Sequence, residues 1–177
     1  MKTSVKMGLC VAIVLCVFLG SCMVEKSFFA GQFTVLYSLD KKQNDRALVN
    51  VINDAHQYVY FAIYTFTKEN IAAALMNAKE RGLDVQGIAD AEQSAMPQQA
   101  KIIASLRDAG ISVETQKHPE GIMHIKALVT DNAYALGSYN WTSAATYEND
   151  EILEIGTNDG LRKEYLAILQ KIFAANR

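Results

Sequence analysis

The stretch M-H-I-K-A-L-V-T-D at residues 123–131 combines a β-strand pattern with reactive side chains, and G-S-Y-N follows at residues 137–140. Side chains two apart share one face of a strand, so His124 and Lys126 are expected to point the same way. The alternate residues, expected to point into the core, are Ile125, Ala127 and Val129. This pairing of an imidazole with an ammonium suits capture of a phosphate and attack on its phosphorus, with no metal required.

Three further residues of these motifs have separate expected tasks. Asp131 has the opposite parity, and we expect it to fix the turn at residues 131–132, because such side chains bond their own backbone. Ser138 and Asn140 share a face on the next strand. Gly137, just before them, allows a close approach of backbone.

The chemistry that these residues suit is nucleophilic attack by histidine. A neutral imidazole at His124 can form a covalent phosphohistidine, provided that an acceptor holds its second ring nitrogen. Asp150 and Glu151 are acidic candidates, and Glu151 begins a later strand. Lys126 and Asn140 would donate to the non-bridging phosphate oxygens, where negative charge grows in the transition state.

Strand and helix patterns alternate outward from this stretch. Strands are predicted at 33–39, 58–67, 84–89, 111–115, 123–129, 133–137 and 151–157. Helices are predicted at 41–55 with Asp40 as N-cap, and at 68–81, 97–109 and 161–174. The last helix is expected to bury Leu161, Tyr165, Ile168, Leu169 and Ile172. This alternation predicts an α/β fold whose central sheet carries helices on both faces.

The first 21 residues have the pattern of a secretion signal. Lys2 and Lys6 precede an apolar run, and L-G-S-C ends at Cys22. L-G-S-C resembles the bacterial lipobox, so we predict lipidation of Cys22, a tether at 22–31 and a folded domain at 32–177. The predicted location is the cell envelope, membrane-anchored and facing the periplasm. An uncleaved anchor helix and ordinary cleavage are the alternatives.

Composition excludes some classes of protein. All three cysteines lie in the predicted signal or at its end, so the domain has no disulfide and no thiolate zinc site. Removal of Lys2 and Lys6 from the 17 basic residues leaves 15 against 19 acidic ones. A polyanion must therefore be met by a local patch, and the candidates are Lys41, Lys42, Arg46, Lys68, Lys101 and Lys126.

The combination H-x-K-x4-D at residues 124–131 and G-S-x-N at 137–140 resembles the phospholipase D superfamily. The single motif and small size are similar to its bacterial single-motif endonuclease branch, a resemblance that extends over residues 33–175. It implies a mixed central β-sheet and no cofactor. By the resemblance His124 is the nucleophile and Glu151 orients it. Lys126 and Asn140 bind phosphate, Ser138 supports the pocket and Asp131 has a less direct role.

The resemblance also implies a homodimer. Phosphodiester cleavage in this superfamily uses two motifs, one histidine attacking and the other protonating the leaving oxygen. This chain has one motif, so two copies of His124 are expected at a shared two-fold site. His56 and His118 are the alternatives for the second acid, although each is more often a surface histidine.

The resemblance implies metal-independent cleavage of DNA or RNA, which is the first functional hypothesis. Tyr139, Trp141 and Tyr147 are candidates to stack bases of a single strand, and packing in the core is the alternative for Trp141. A phospholipase acting on phosphatidyl or cardiolipin head groups is the second enzyme hypothesis. A non-catalytic lipoprotein that tethers DNA is the third, although binding alone has no use for a nucleophile.

Overall fold

The computed structural model describes residues 32–117 and 120–177. The predicted signal, the lipidation at Cys22 and the tether lie outside these residues and stay predictions, as does the alternative role of His118. In the described part of the chain, no helix is both long enough and apolar enough to cross a bilayer.

Seven strands form one mixed sheet. They are β1 (Phe33–Tyr37), β2 (Tyr58–Ile63), β3 (Asp84–Ala89), β4 (Ser112–Thr115), β5 (Lys126–Thr130), β6 (Tyr134–Gly137) and β7 (Ile152–Gly156). Their order across the sheet is β1-β7-β6-β5-β2-β3-β4. Strands β2, β3 and β4 are parallel, and the remaining neighbours are antiparallel.

Helices cover both faces of the sheet. They are α1 (Ser38–Lys41), α2 (Asn44–Asn53), α3 (Glu69–Glu80), α4 (Ala91–Ser94), α5 (Pro97–Asp108), α6 (Ser143–Tyr147) and α7 (Asp159–Asn176). The larger hydrophobic core lies between the sheet and α2, α3 and α5. A smaller core lies under α7 on the opposite face. The prediction of a mixed sheet with helices on both faces is confirmed.

The region after β1 differs from the prediction. The strand ends at Tyr37 instead of residue 39, and the helix predicted at 41–55 is two helices, α1 and α2. Lys42 separates them in the left-handed conformation, with φ of 52°. Asp40 therefore lies inside α1 and does not cap α2, which Gln43 precedes.

Strand β5 is buried on both of its faces. Leu128 is fully buried in the larger core, and Val129, which points the opposite way, is buried under α7. The expectation of a single core-facing side is therefore wrong for this strand. Central strands covered by helices on both sides bury both alternating sets of side chains.

Asp131 ties the end of β5 to the loop before β2. Its Oδ1 accepts the backbone N–H groups of His56 at 3.0 Å and Gln57 at 3.1 Å. Burial acts to raise the pKa of Asp131, but these donors outweigh it and hold the pKa below its usual value. The carboxylate thus fixes this loop as well as its own turn.

We expect Asp131→Ala to lower the free energy of unfolding by about 1–3 kcal/mol, because two backbone donors lose a charged acceptor. A carboxylate whose pKa is lowered by folding stabilises at neutral pH. That contribution should be lost as the pH falls through about 4 toward the lowered pKa. Urea unfolding at pH 7 and pH 3 measures this, with the exposed Asp108→Ala as control. An equal loss of stability at both pH values would contradict the assignment.

Candidate active site

The segment that carries His124 lies off the sheet. The prediction placed it in a strand beginning at residue 123, whereas β5 begins at Lys126. The reason is the backbone N–H of Met123, which donates to Asp90 Oδ2 at 3.0 Å and to Gln116 Oε1 at 2.7 Å. The Met123 N–H thus bonds to these two side chains and not to the backbone of a neighbouring strand. The chain joins the sheet only at Lys126.

Lys126 and His124 lie together as predicted, although His124 precedes β5 and strand parity is not the cause. The Lys126 Nζ donates to the backbone oxygen of His124 at 2.8 Å. Tyr64, which follows β2, contacts both: its ring centroid lies 4.7 Å from that of His124 and 5.0 Å from the Lys126 Nζ. Lys126 is 7% exposed, whereas His124 is exposed. A buried cation therefore lies beneath an accessible imidazole.

Tyr64 was missed by sequence reasoning, although it belongs to the predicted strand at 58–67. That strand ends at Ile63, and the chain then turns toward Trp141. Both Thr67 and Lys68 donate their backbone N–H to the Trp141 oxygen, at 2.8 and 3.0 Å. An aromatic residue at the end of a central parallel strand is the signal that could have identified Tyr64.

The electrostatics of Lys126 combine two opposing effects. Burial lowers the pKa of Lys126 below its usual value, because a desolvated ammonium is less stable. The carboxylate of Glu151 opposes this and raises the pKa. The ammonium is thus a cation that the site holds in a partly desolvated position, where its attraction for a phosphate is strengthened.

Glu151 and Ser138 form a hydrogen-bonded pair. The Ser138 Oγ donates to Glu151 Oε2 at 2.5 Å, and Asn149 Nδ2 donates to Oε1 at 3.5 Å. Within the two described ranges, the His124 ring nitrogens have no hydrogen-bond partner. The support that Ser138 gives is visible, and orientation of His124 by Glu151 stays a prediction.

Gly137 permits the close approach that its motif predicted. A Cβ at this position would lie 2.1 Å from the backbone oxygen of Ile152 on β7. The same oxygen accepts the Ser138 N–H at 3.0 Å, and the Ile152 N–H donates to the Ser138 Oγ at 3.1 Å. Any side chain at residue 137 would push Ser138 and Glu151 apart.

The Asn140 side chain is held by the backbone of the segment that follows β2. Its Oδ1 accepts the backbone N–H of Thr65 at 3.2 Å. The amide nitrogen has no hydrogen-bond partner among residues that the structure describes, so both of its N–H groups are available as donors. This geometry suits the predicted contact with a phosphate oxygen.

Two predicted substrate-binding residues are structural. Tyr139 and Trp141 are each 1% exposed. The Tyr139 hydroxyl bonds Thr146 Oγ1 at 2.6 Å, and Trp141 packs against Phe61 and Phe66. No ring face is open to a nucleobase, so the prediction that they stack on bases is wrong, and the alternative of core packing is confirmed for Trp141. Both lie in the larger core, where an aromatic ring buries the most apolar surface.

Asp131 does not join the site. It follows the last residue of β5, whereas Lys126 is the first, and five residues of strand span about 16 Å. The other motif residues meet at one edge of the sheet, and they are His124, Lys126, Ser138, Asn140 and Glu151. The role of Asp131 is to position the strand from its far end.

The assembled edge provides an exposed imidazole with cationic and amide donors beside it. The described residues contain no cluster of three or more His, Cys, Asp or Glu side chains placed to hold a metal ion. The donor set instead matches an anionic oxygen, since the ammonium of Lys126 and the amide of Asn140 both donate.

A family model described as "Cardiolipin synthase, PLD-like domain" matches residues 48–173, which include every residue of the site. The chain belongs to the phospholipase D-like family. This confirms the superfamily resemblance drawn from the motifs.

Two relatives in this family are longer than this chain. A phospholipase D of Rickettsia conorii is 32% identical over 120 residues, which are 67% of this chain and 58% of that protein. The mitochondrial cardiolipin hydrolase of Xenopus laevis is 30% identical over 129 residues, 72% of this chain and 60% of that protein. The chain thus spans less than two thirds of these relatives.

Solved structures of similar size match almost completely. The phospholipase D family member Nuc from Salmonella typhimurium has a TM-score of 0.77 at 26% identity, covering 83% of this chain and 97% of that one. NucT from Helicobacter pylori has a TM-score of 0.73 at 26% identity, covering 82% and 98%. The described fold is therefore close to the whole of a small phospholipase D-like protein.

We expect Glu151→Gln to shift the alkaline limb of the kcat/KM profile to lower pH. Activity that needs the Lys126 cation falls as the pH rises through its pKa, and loss of the carboxylate removes the effect that raises this pKa. The pH profile of phosphodiester hydrolysis measures the shift. Glu148→Gln, in the same loop, is the control. A limb that stays in place or moves to higher pH would contradict the coupling.

Proposed function

We propose that this protein is a metal-independent endonuclease that cleaves DNA or RNA, preferentially single-stranded, through a covalent phosphohistidine. The supporting observation is the exposed ring of His124 beside a buried ammonium and a free amide donor. Lys126 and Asn140 would stabilise the charge that develops on the non-bridging oxygens. The Lys126 ammonium would thus supply the positive charge that attracts the scissile phosphate, without a metal ion.

The reaction has two steps. A His124 ring nitrogen attacks phosphorus, the N–P bond forms, and the P–O bond to the leaving nucleotide oxygen breaks. A protonated second histidine donates its proton to that oxygen, and then removes a proton from the attacking water. Water displaces the imidazole, the N–P bond breaks, and the product is a phosphate monoester.

The second histidine is proposed to be His124 of another copy of the chain. Of the two alternatives within the chain, His118 lies outside the described residues, and His56 lies at the opposite end of β5, where its backbone N–H binds Asp131. It is therefore about one strand length, roughly 16 Å, from Lys126. A shared site in a symmetric dimer would give the pair an attacking and a protonating imidazole.

An apolar face that no other part of residues 32–117 and 120–177 covers supports this dimer. Helix α7 packs over β2 to β5. Register places Val35 opposite Glu154 and Tyr37 opposite Ile152, on the same face of the sheet as α7. The large apolar residues left exposed there define the uncovered face, and they are Phe33 (63%), Val35 (53%), Tyr37 (39%) and Ile152 (54%). Exposed apolar patches of this kind mark interfaces.

Helix α7 has a matching exposed set. Leu161 and Ile168 were expected to be buried, yet they are 39% and 50% exposed. Beside α7, over β5 and β6, lies a cavity of about 270 Å³, whose lining includes Ile168, Leu136 and His124. A two-fold partner that places its α7 on the uncovered face would bury both apolar sets and bring the two copies of His124 together.

The size match favours the small, single-motif branch of the superfamily. The chain covers 97% and 98% of the small proteins Nuc and NucT, and less than two thirds of the phospholipase D and cardiolipin hydrolase relatives. Together with the single motif, this supports the endonuclease branch.

The proposal also includes a location in the cell envelope, where a lipid on Cys22 would anchor the protein to a membrane.

A lipid phosphodiesterase is the second candidate, because one observation favours it. The cavity beside His124 is mostly apolar, with Ile125, Leu136 and Ile168 in its wall. Such a wall suits an acyl or glycerol group next to the scissile phosphate. The names of the related phospholipase D and cardiolipin hydrolase proteins agree with this alternative.

The full chain, in mild detergent and excess EDTA, should cleave single-stranded DNA or RNA, and His124→Ala should lower the rate by at least about 10³-fold, because the nucleophile is lost. Duplex DNA and a labelled phosphatidyl lipid in mixed micelles are offered in parallel. His56→Ala is the matched control and should keep activity. Turnover of the lipid alone would establish the second candidate. Retained DNA binding without turnover would favour a tether.

The dimer makes a separate prediction. Ile152→Glu, on the uncovered face, should give a monomer in analytical ultracentrifugation and lose at least about tenfold in activity, because it places a charge in an apolar interface. Met96→Glu, 48% exposed and remote from that face, is the matched control and should stay dimeric and active. A fully active monomer would contradict the shared site.

A further inference from the structure

We propose that a second cavity, on the Asn140 side of the site, binds the nucleotide adjacent to the scissile phosphate. This inference rests on the proposed nuclease function and names where the polymer runs. The cavity has a volume of about 590 Å³, enough for one nucleotide unit. The polar side chains of its wall include Thr65, Thr67, Glu69, Gln98, Lys101 and Ser143, and Ile102 adds an apolar one.

The cavity shares a wall with the active site. Thr65 lines it, and the backbone N–H of the same residue holds the Asn140 side chain at 3.2 Å. Thr67 is joined to Trp141 by a backbone hydrogen bond of 2.8 Å. A strand whose phosphate contacts Asn140 would therefore pass directly over Thr65 into the cavity.

The lining suits a sugar and base better than a bare anion. Thr67 and Ser143 bring hydroxyls, which both donate and accept, Gln98 adds an amide, and the Thr65 hydroxyl, which donates to Gln93 Oε1 at 3.4 Å, can still accept. Ile102 supplies an apolar wall. Mixed hydrogen-bonding groups around an apolar wall are typical of sites that hold a small organic unit in one orientation.

Lys101 supplies the charge for a backbone phosphate. Its ammonium forms no ion pair within residues 32–117 and 120–177. The 12-residue helices α3 and α5 begin at the cavity with Glu69 and Gln98 in its wall, so the positive ends of their dipoles offset the Glu69 carboxylate. Lys101 was one of several candidate cations in the sequence, and this position distinguishes it from the others.

Two variants of the full chain test the subsite with two substrates. Lys101→Met removes the charge, and Ser143→Trp fills the cavity from an exposed position. Each is assayed with a 12-nucleotide single strand and with bis(p-nitrophenyl) phosphate, which has no flanking nucleotide. Lys79→Met, at the opposite end of α3 from the cavity, is the matched control.

Each variant should raise KM for the 12-nucleotide strand about five- to tenfold while kcat/KM for the small diester stays unchanged, because only the strand reaches the cavity. Lys101→Met should also lower the salt slope of strand binding by about one unit. Unchanged KM in both variants, or equal losses on both substrates, would overturn the subsite. A wild-type chain that hydrolyses the small diester and no nucleic acid would instead overturn the proposed nuclease function, and the subsite with it.

Discussion

The backbone N–H of Met123 lies between two side-chain acceptors, the Asp90 carboxylate at 3.0 Å and the Gln116 amide oxygen at 2.7 Å. The placement of the active site depends on this contact. It holds the chain off the sheet for the residues before Lys126, so that the His124 ring is exposed at the sheet edge. Lys126 then enters the sheet and is buried below. A continuous strand would instead have given residue 123 a backbone partner and fixed His124 against the neighbouring strand.

In the proposed mechanism, the edge built in this way is half of a reaction centre. One imidazole can attack, and a second must protonate the leaving oxygen. The same edge adjoins apolar surface that α7 leaves uncovered, with Ile152 at 54% and Val35 at 53% exposure. The catalytic requirement for a second histidine and the physical requirement to cover this surface would be met by the same partner chain.

Much of the fold and most of the site could be predicted from the sequence, because the information is local. The two-residue spacing keeps His124 beside Lys126, whose ammonium donates to the His124 backbone oxygen, and Gly137 marks the close approach to Ile152. The rest depends on distant partners. Tyr64 meets His124 only because β2 and β5 are neighbours. Trp141 could be predicted to pack in the core, but that residues 66–68 fold against it is not indicated by any local pattern in either segment.

The central claim is that His124 becomes covalently bonded to phosphorus during turnover. Trapping tests this most directly: the full chain is mixed with excess single-stranded oligonucleotide, quenched within milliseconds in alkali, where a phosphohistidine survives, and digested for peptide mass spectrometry. The account predicts a nucleotidyl adduct on the peptide that contains His124, appearing before product and absent from His124→Ala. Steady turnover with no adduct, or with the adduct on another residue, would contradict it.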